Sequence, residues 1–274
     1  MDCLKSLEYK FQQRKFFSTE KKRLTKVDVR VAGEIKKAIL ESKSGLVFDA
    51  GCGEGIFTNV IAKARKSIYV VGGDLSKSSL QRAKIRVRGE NVDLLLCDVE
   101  SLPFRSDSFG CIISVGLLHH LQSLNLISEI HRIIRHEGLF FVGDHTYLNN
   151  PLFFLFYKFA TCLPYEFLKF REDIDPQYKS PHVFMYSFNY LMQALESMGF
   201  KPTYIKRDTL FFMPMIVLIK QFSRIFSLSI EGFLNGKVIR TLWGLDDALK
   251  KHLYRFCYEF VIQCVAEKNR NHRP

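Results

Sequence analysis

The sequence predicts an α/β fold built on an open, doubly wound and mostly parallel sheet. Three observations carry that expectation. Five short apolar runs alternate with amphipathic stretches between residues 44 and 144, the pattern of buried parallel strands covered by helices. A glycine-rich turn, GCGEG, follows the first run directly. An acidic residue stands at or next to the end of four of the five runs, on the sheet edge where open α/β folds bind ligands.

Ahead of the alternation, residues 1–43 form a basic segment with Lys10, Arg14, Lys15, Lys21, Lys22, Arg23, Lys26 and Arg30. It leads into KVDVRVAGEIKKAIL, whose apolar spacing is helical. The strand runs are GLVFDA, IYVVGGD, VDLLLCD, FGCIISV and GLFFVGD, and the residues that close them are Asp49, Asp74, Asp98, Val115 and Asp144. Between them GIFTNVIAKARK, SKSSLQRAKIRVR and LQSLNLISEIHRIIRHEG have helical spacing, and the last is expected to stop at His136 and Gly138. Such βα units crossing over in series make a doubly wound sheet.

Composition limits the function classes. The chain has 274 residues, 47% of them hydrophobic and 25% charged, enough for one large domain with an elaboration. Its opening residues lack the apolar core and cleavage site of an export signal, so the expected compartment is the cytoplasm. Seven cysteines without a CxxC pair argue against a disulfide framework and against a zinc site, and no metal is expected. The longest apolar stretch, Thr209 to Ile219, stops at Lys220, short of the roughly 18–20 residues that cross a bilayer. A net charge of +12 favours an anionic partner, nucleic acid or an anionic membrane surface.

The glycine turn discriminates between nucleotide ligands. A dinucleotide fingerprint reads GxGxxG, whereas Gly51, Gly53 and Gly55 make GxGxG with Ile56 in the third glycine's place. Glu54 inside the turn and Asp49 before it would repel a pyrophosphate held on backbone amides and a helix dipole. A ligand carrying an ammonium and a sulfonium, with an adenosine for a second acid to grip, suits the charge.

These residues resemble the class I S-adenosylmethionine-dependent methyltransferases, in particular the quinone-biosynthesis methyltransferase group. DAGCGEG resembles the first motif of that family, VVGGDLS the second and LLLCDVESLPF the third. SVGLLHHL resembles the segment after the fourth strand, and EIHRIIRHEGLFFVGD the helix and strand that follow. The match runs over residues 44–145. One departure is Gly110 in DSFGCIIS, where the family usually carries aspartate; it puts local turn geometry in question rather than chemistry.

The resemblance implies S-adenosyl-L-methionine as cofactor and a Rossmann-like, seven-stranded sheet with an antiparallel last strand. It implies that Asp49 helps hold the methionine amino group and that Gly51 and Gly53 let the backbone approach closely. Asp74 would accept both ribose hydroxyls, Asp98 and Val99 would meet the adenine edge and ring face, and Val115 and Leu117 would pass near the methionine portion. Ala50, Cys52 and Leu75 complete the implied cofactor set. If the methyl acceptor must lose a proton, the candidate catalytic residues are His119, His120, Asp144 and His145, all at the active edge of the sheet.

Beyond residue 145 the chain turns aromatic and basic in PLFFLFYKFATCLPYEFLKF. FNYLMQALESMGF reads as a helix ending at Gly199, KPTYIKRDTLFF as a strand and EFVIQCVAEK as the last strand. The intervening Met213 to Phe256 is then a helical insertion. The division is a basic helical segment 1–43, a cofactor-binding core 44–145, and a C-terminal part 146–274 with an acceptor cap and closing hairpin. Phe153, Phe154, Phe156 and Phe159 suit a small apolar or lipid-like acceptor met at an anionic membrane surface. Nucleic acid ranks lower as a partner, because SVGLLHH stands where base-amino methylases carry an Asn/Asp-Pro-Pro-aromatic segment. An RNA methyltransferase and a non-catalytic cofactor-binding scaffold are the alternatives.

Overall fold

The computed structural model of the chain describes residues 26–42, 44–87, 89–121, 123–145, 186–208, 241, 244–245, 248, 257 and 259–268. The elements are α1 (Lys26–Glu41), β1 (Leu46–Ala50), α2 (Ile56–Ala64), β2 (Tyr69–Asp74), α3 (Lys77–Arg86), β3 (Val92–Leu96), β4 (Phe109–Val115), α4 (Asn125–Ile133), β5 (Ile134–His145), α5 (Phe188–Ser197), β6 (Phe200–Asp208) and β7 (Glu259–Ala266). A single 3-10 turn, Leu118–His120, follows β4. The seven strands lie in the order β3-β2-β1-β4-β5-β7-β6, and β7 is antiparallel.

β1 is central, paired in parallel with β2 on one side (Asp49 opposite Gly72) and with β4 on the other (Ala50 opposite Ser114). The strand order reverses between β1 and β4, so the crevice of the fold opens at their carboxyl ends. The sequence puts GCGEG at one of those ends and GLLHH at the other.

Alternation along the strands supplies the two faces. Val47, Val70, Cys111, Ile113, Phe141 and Val261 pack with Ile35, Ala38 and Ile39 of α1 and Ile56, Phe57 and Ile61 of α2. Phe48 points the other way, its ring centroid 5.1 Å from Phe104 and 5.3 Å from Phe109. Leu126, Ile127, Ile130 and Ile133 form the buried stripe of α4. In α3 the buried positions are the small Ser79 and Ala83, so the helix comes close to the glycine turn: a β-carbon on Gly55 would lie 3.1 Å from that of Ala83.

The helix expected to run to His136 ends at Ile133 instead. Its last carbonyls are already taken: Asp107 N donates to Arg132 O, Ser108 N to Ile133 O, and Lys268 Nζ to Arg132 O. Ile134 pairs with Phe109 and Leu139 with Cys111, a register shift that absorbs the extra residues in β5. Glu137 sits within it at φ 60°, and a β-carbon on Gly138 would come within 2.8 Å of Arg135 O. That glycine therefore serves a strand bulge and not a helix stop.

Gly110 has a steric reason. A β-carbon there would lie 2.6 Å from Ser44 Oγ and 2.9 Å from Ser44 Cβ, and Ser44 is held in place by donating to Leu46 O. Gly110→Asp, which restores the family residue, is expected to cost about 1–3 kcal/mol by overpacking, read as a lower melting temperature, and Ser44→Gly is expected to recover most of it.

The chain divides into two compact units, one of Met1–Asp144, Met192–Ile205 and Val261–Pro274, the other of His145–Leu191 and Lys206–Phe260. In the first, Gly199 closes α5 at φ 83°, and Thr203 Oγ1 of β6 donates to Gln263 O of β7. In the second, Arg207 stands 3.7 Å over the Phe188 ring, and Phe188 meets Phe260 edge-on. The basic residues before Lys26 and the aromatic segment from Pro151 to Phe170 lie outside the described residues. So does most of Met213 to Phe256, where Thr241, Gly244, Leu245 and Ala248 are helical.

Candidate functional site

The turn after β1 folds back over the end of β2. Gly51 N and Cys52 N both donate to Gly73 O, at 2.8 and 2.9 Å. Gly51 and Gly53 have φ of 71° and 53°, a region that other residues enter only with strain. Their surroundings differ. A β-carbon on Gly51 would strike the Leu117 side chain at 2.8 Å, so the segment after β4 packs onto the turn there. A β-carbon on Gly53 would meet no atom within 4 Å, which leaves the turn open to a ligand on that side.

Asp49 and Asp74 flank this turn. Asp49 is buried and accepts from Thr58 Oγ1 at 2.6 Å. Burial pushes its carboxyl up to about 7, against the Thr58 hydrogen bond and with help from the nearby Asp74 charge. Asp74 is also raised by burial, opposed by hydrogen bonds from backbone amides. Its Oδ2 accepts from Gly53 N and its Oδ1 from Ser76 N, both at 2.8 Å. Those two bonds fix the carboxylate and leave lone pairs for a diol, since an ionised carboxylate has about four acceptor sites.

Glu54 plays a different part from the one its position suggests. Its carboxylate meets Arg82 Nε at 2.8 Å and Arg86 Nη2 at 3.3 Å, and Arg86 Nη1 donates to its carbonyl. Two arginines of α3 thus neutralise it, so the negative field of the turn comes from Asp49 and Asp74.

Asp98 lies two residues past β3, where its Oδ1 caps Glu100 N at 3.0 Å and its carbonyl accepts from Ser101 N. Val99 beside it is buried. The loop that follows is pinned by α4: Leu102 N donates to Glu129 Oε2 at 2.7 Å, while Arg132 donates to Phe104 O and Leu102 O at 2.7 and 2.9 Å. Ala50 is fully buried, and burial holds the Cys52 thiol well above its usual range. Leu75 and Val115 are half-buried at the ends of β2 and β4.

Of the four candidate proton-handling residues, His119 and Asp144 meet directly: Nδ1 to Oδ1 is 2.6 Å. The His120 ring lies 3.9 Å from that of His119. His145 ends β5, and its side chain lies outside the described residues. Among the described residues no group of three His, Cys, Asp or Glu could hold a metal ion.

Sequence reasoning missed Thr58, the arginines on Glu54, the α4 clamp and Ser114, whose buried hydroxyl lacks a hydrogen-bond partner among the described residues. Thr58 was findable, as a polar residue on the apolar face of IFTNVIAKA. The others depend on contacts 27 or more positions apart or on a strand's immediate neighbours.

Residues 48–142 match the methyltransferase domain family. An uncharacterised chloroplast methyltransferase of Arabidopsis thaliana is 29% identical over 61% of this chain and 43% of its own length. A ubiquinone/menaquinone biosynthesis C-methyltransferase of Desulfotalea psychrophila is 28% identical over 35% of the chain and 39% of its own. A probable tRNA methyltransferase of Homo sapiens is 30% identical over 36% of the chain and 21% of its own. The chain thus spans less than half the length of these relatives. A putative methyltransferase from Bacillus halodurans shares the fold, with a TM-score of 0.56 at 17% identity over 86% of this chain and 99% of that one.

Proposed function

We propose, from the premise that this chain contains a class I S-adenosylmethionine-dependent methyltransferase domain, that it transfers a methyl group to a small, apolar or lipid-like acceptor. The observation that carries the cofactor half is the pair of acids, the buried Asp49 and the half-buried Asp74, on either side of an open glycine turn. Such a pair matches a cationic ligand with a diol and repels a diphosphate. The open space at Gly53 is the cradle that a side chain would fill.

In this reading Asp49 faces the methionine ammonium, and Asp74 accepts from the ribose hydroxyls while its amide bonds hold it still. Gly51 and Gly53 admit the backbone to contact distance, with Ala50, Cys52 and Leu75 shaping the walls. Asp98 and Val99 meet the adenine edge and face, and Val115 and Leu117 border the methionine portion. Bound there, S-adenosylmethionine supplies a methyl group on a sulfonium, to be displaced in line. The chain's task is then alignment, which is worth about 7–11 kcal/mol in well-oriented systems.

The acceptor half rests on the aromatic, basic composition after residue 145 and on the similarity to a quinone-pathway C-methyltransferase. No described helix is long and apolar enough to cross a membrane, so contact with a bilayer would be peripheral. RNA is the second reading, favoured by the net charge of +12 and the similarity to a tRNA methyltransferase. Incubating the protein and a cell extract with methyl-labelled cofactor separates the two. Label is expected in the lipid or small-molecule fraction, and label confined to RNA would overturn the acceptor. Flotation with anionic vesicles at low salt is expected to carry the protein upward; failure to float would remove the membrane surface.

A further inference from the structure

We propose that Thr58 is a positioning residue for the cofactor: from the first turn of α2 its hydroxyl holds Asp49 as a charged carboxylate beside the glycine turn, and so sets the pH range in which the ligand's ammonium is bound. This rests on the methyltransferase reading above and deepens it.

The fold brings the two residues together across the turn. Asp49 is the penultimate residue of β1, opposite Gly72 of β2 and Ile113 of β4. It shares the strand face of Val47, which packs on α1 and α2. The turn reverses the chain, so the third residue of α2 returns to that face, and Thr58 Oγ1 donates to Asp49 Oδ2 at 2.6 Å. Thr58 is fully buried and Asp49 is 2% exposed. The other buried residues of α2, Ile56, Phe57 and Ile61, are apolar, so valine would fill the Thr58 position with no hydroxyl to satisfy. The carboxylate lies against the turn itself: the Cys52 thiol inside the turn feels the Asp49 charge, and Asp49 feels that of Asp74.

Physical chemistry says which residue serves which. A hydroxyl on an apolar helix face is dispensable, whereas an acid inside a strand is costly to bury and is retained for what it does. Thr58 is therefore there for Asp49 rather than the reverse. An O–H donor favours the ionised form of the carboxyl that accepts from it, and 2.6 Å is the length of such a charge-assisted bond. Burial, the largest influence, pushes the Asp49 carboxyl up to about 7; the Asp74 charge pushes the same way, and the Thr58 hydroxyl and amide oppose both. The neighbouring elements supply no cation to it among the described residues. The Cys52 thiol of the turn is raised well above its usual range by burial, as is Cys111 of β4, to about 12. Arg82 and Arg86 of α3 are engaged by Glu54, and α1 meets this face through Ile35, Ala38 and Ile39. Without the Thr58 hydroxyl, Asp49 would take up its charge about one pH unit higher, and at neutral pH the ammonium would meet a mostly neutral acid.

The test compares Thr58→Val and Thr58→Ser with wild type by calorimetry with S-adenosylhomocysteine, which keeps the ammonium. Thr58→Val is expected to bind about tenfold more weakly at about pH 6 but within about twofold at about pH 8.5, because a raised titration point matters only below it. The ligand's own ammonium titrates alike for both proteins and cancels in the ratio. Thr58→Ser, which keeps the hydroxyl, is expected to follow wild type. A second readout needs no ligand. A carboxyl raised by folding makes stability fall as pH climbs to its folded value, so the melting temperature should level off above about 7 in wild type and above about 8 in Thr58→Val. A loss of affinity equal at every pH, an unmoved plateau, or a Thr58→Ser protein that behaves like Thr58→Val overturns the proposal. If Thr58→Val fails to fold, carbon NMR of the wild type decides. The Asp49 carboxyl is expected to titrate near 7 with the Thr58 methyl signal following the same step, and a Thr58 signal that ignores it overturns the assignment. Wild-type protein that binds no S-adenosylhomocysteine sinks the methyltransferase reading itself. Wild-type binding that Thr58→Val matches at every pH sinks the role of Thr58 alone.

Discussion

Asp49→Asn is expected to yield a protein that is more stable than wild type at pH 8 yet binds S-adenosylmethionine about a hundred- to a thousandfold more weakly. The two effects have one cause. Burial lifts the Asp49 carboxyl to about 7, whereas in the unfolded chain it titrates near 4. Between those values the native state holds a proton that the unfolded state has lost. The unfolding free energy therefore falls as pH rises from about 4 to about 7, and levels off above. About three pH units at roughly 1.4 kcal/mol each put the cost on the order of 4 kcal/mol. Asparagine keeps the shape and can still accept from Thr58 Oγ1, but carries no charge to bury. The melting temperature of Asp49→Asn should exceed that of wild type at pH 8 by several degrees, and the gap should close as pH falls toward 4.

Binding runs the other way. A carboxylate buried at such cost gains most from a cation placed beside it, and removing one partner of a buried pair costs about 3–5 kcal/mol. Calorimetric affinity of the wild type should rise with pH up to about 7, as Asp49 ionises, with proton release on binding below that point. Asp49→Asn should show neither trend. Affinity within threefold of wild type would remove Asp49 from the cofactor site.

Arg132→Ala is expected to have the next largest effect, about 2–4 kcal/mol of stability with a clear loss of cofactor affinity. Arg132 donates to two loop carbonyls, Leu102 O and Phe104 O, and clasps Glu129 through Nε and Nη2 at 2.8 Å each. Glu129 in turn accepts from Leu102 N, and the Arg132 hydrogen bond is the main reason its carboxyl lies below the usual range. Removing the guanidinium leaves a carboxylate and two carbonyls without their charged donor, and each charged hydrogen bond is worth about 1.5–3 kcal/mol. The loop so released starts at Asp98 and Val99, the proposed adenine contacts. Amide exchange at Leu102 should accelerate in Arg132→Ala. Unchanged exchange together with unchanged cofactor affinity would show that the clamp does not govern that loop.

The strands and the helices between them were legible because continuous apolar runs and amphipathic stretches of period 3.6 are local signals. Asp49, Asp74 and the glycines could be read because a turn's charge and its need for positive φ are written within ten residues of one another. Reading stopped where one segment's fate depends on another. The helix before β5 looked continuous to Gly138, but Ile134 is claimed by Phe109 and the last helical carbonyls by Asp107, Ser108 and Lys268. The glycine replacing aspartate at position 110 looked like a departure from family pattern, and it is explained by Ser44, 66 positions upstream.

By itself, then, the sequence determined the α/β alternation and the acid-flanked glycine turn at the carboxyl end of the first strand. Only the tertiary structure decided which of the acids are paired with a cation and which are not offset by one among the described residues. Glu54 and Asp49 both stand at the turn, but Glu54 is neutralised by Arg82 and Arg86 from the next helix, while Asp49 is buried with a hydrogen bond from Thr58 and no ion pair among the described residues. Likewise, among the four proton-handling candidates, folding sets His119 against Asp144 at 2.6 Å and the His120 ring beside that of His119. The physical reason is that a side chain's charge state depends on burial and on partners within a few ångströms, and those are supplied by folding rather than by neighbours in the chain.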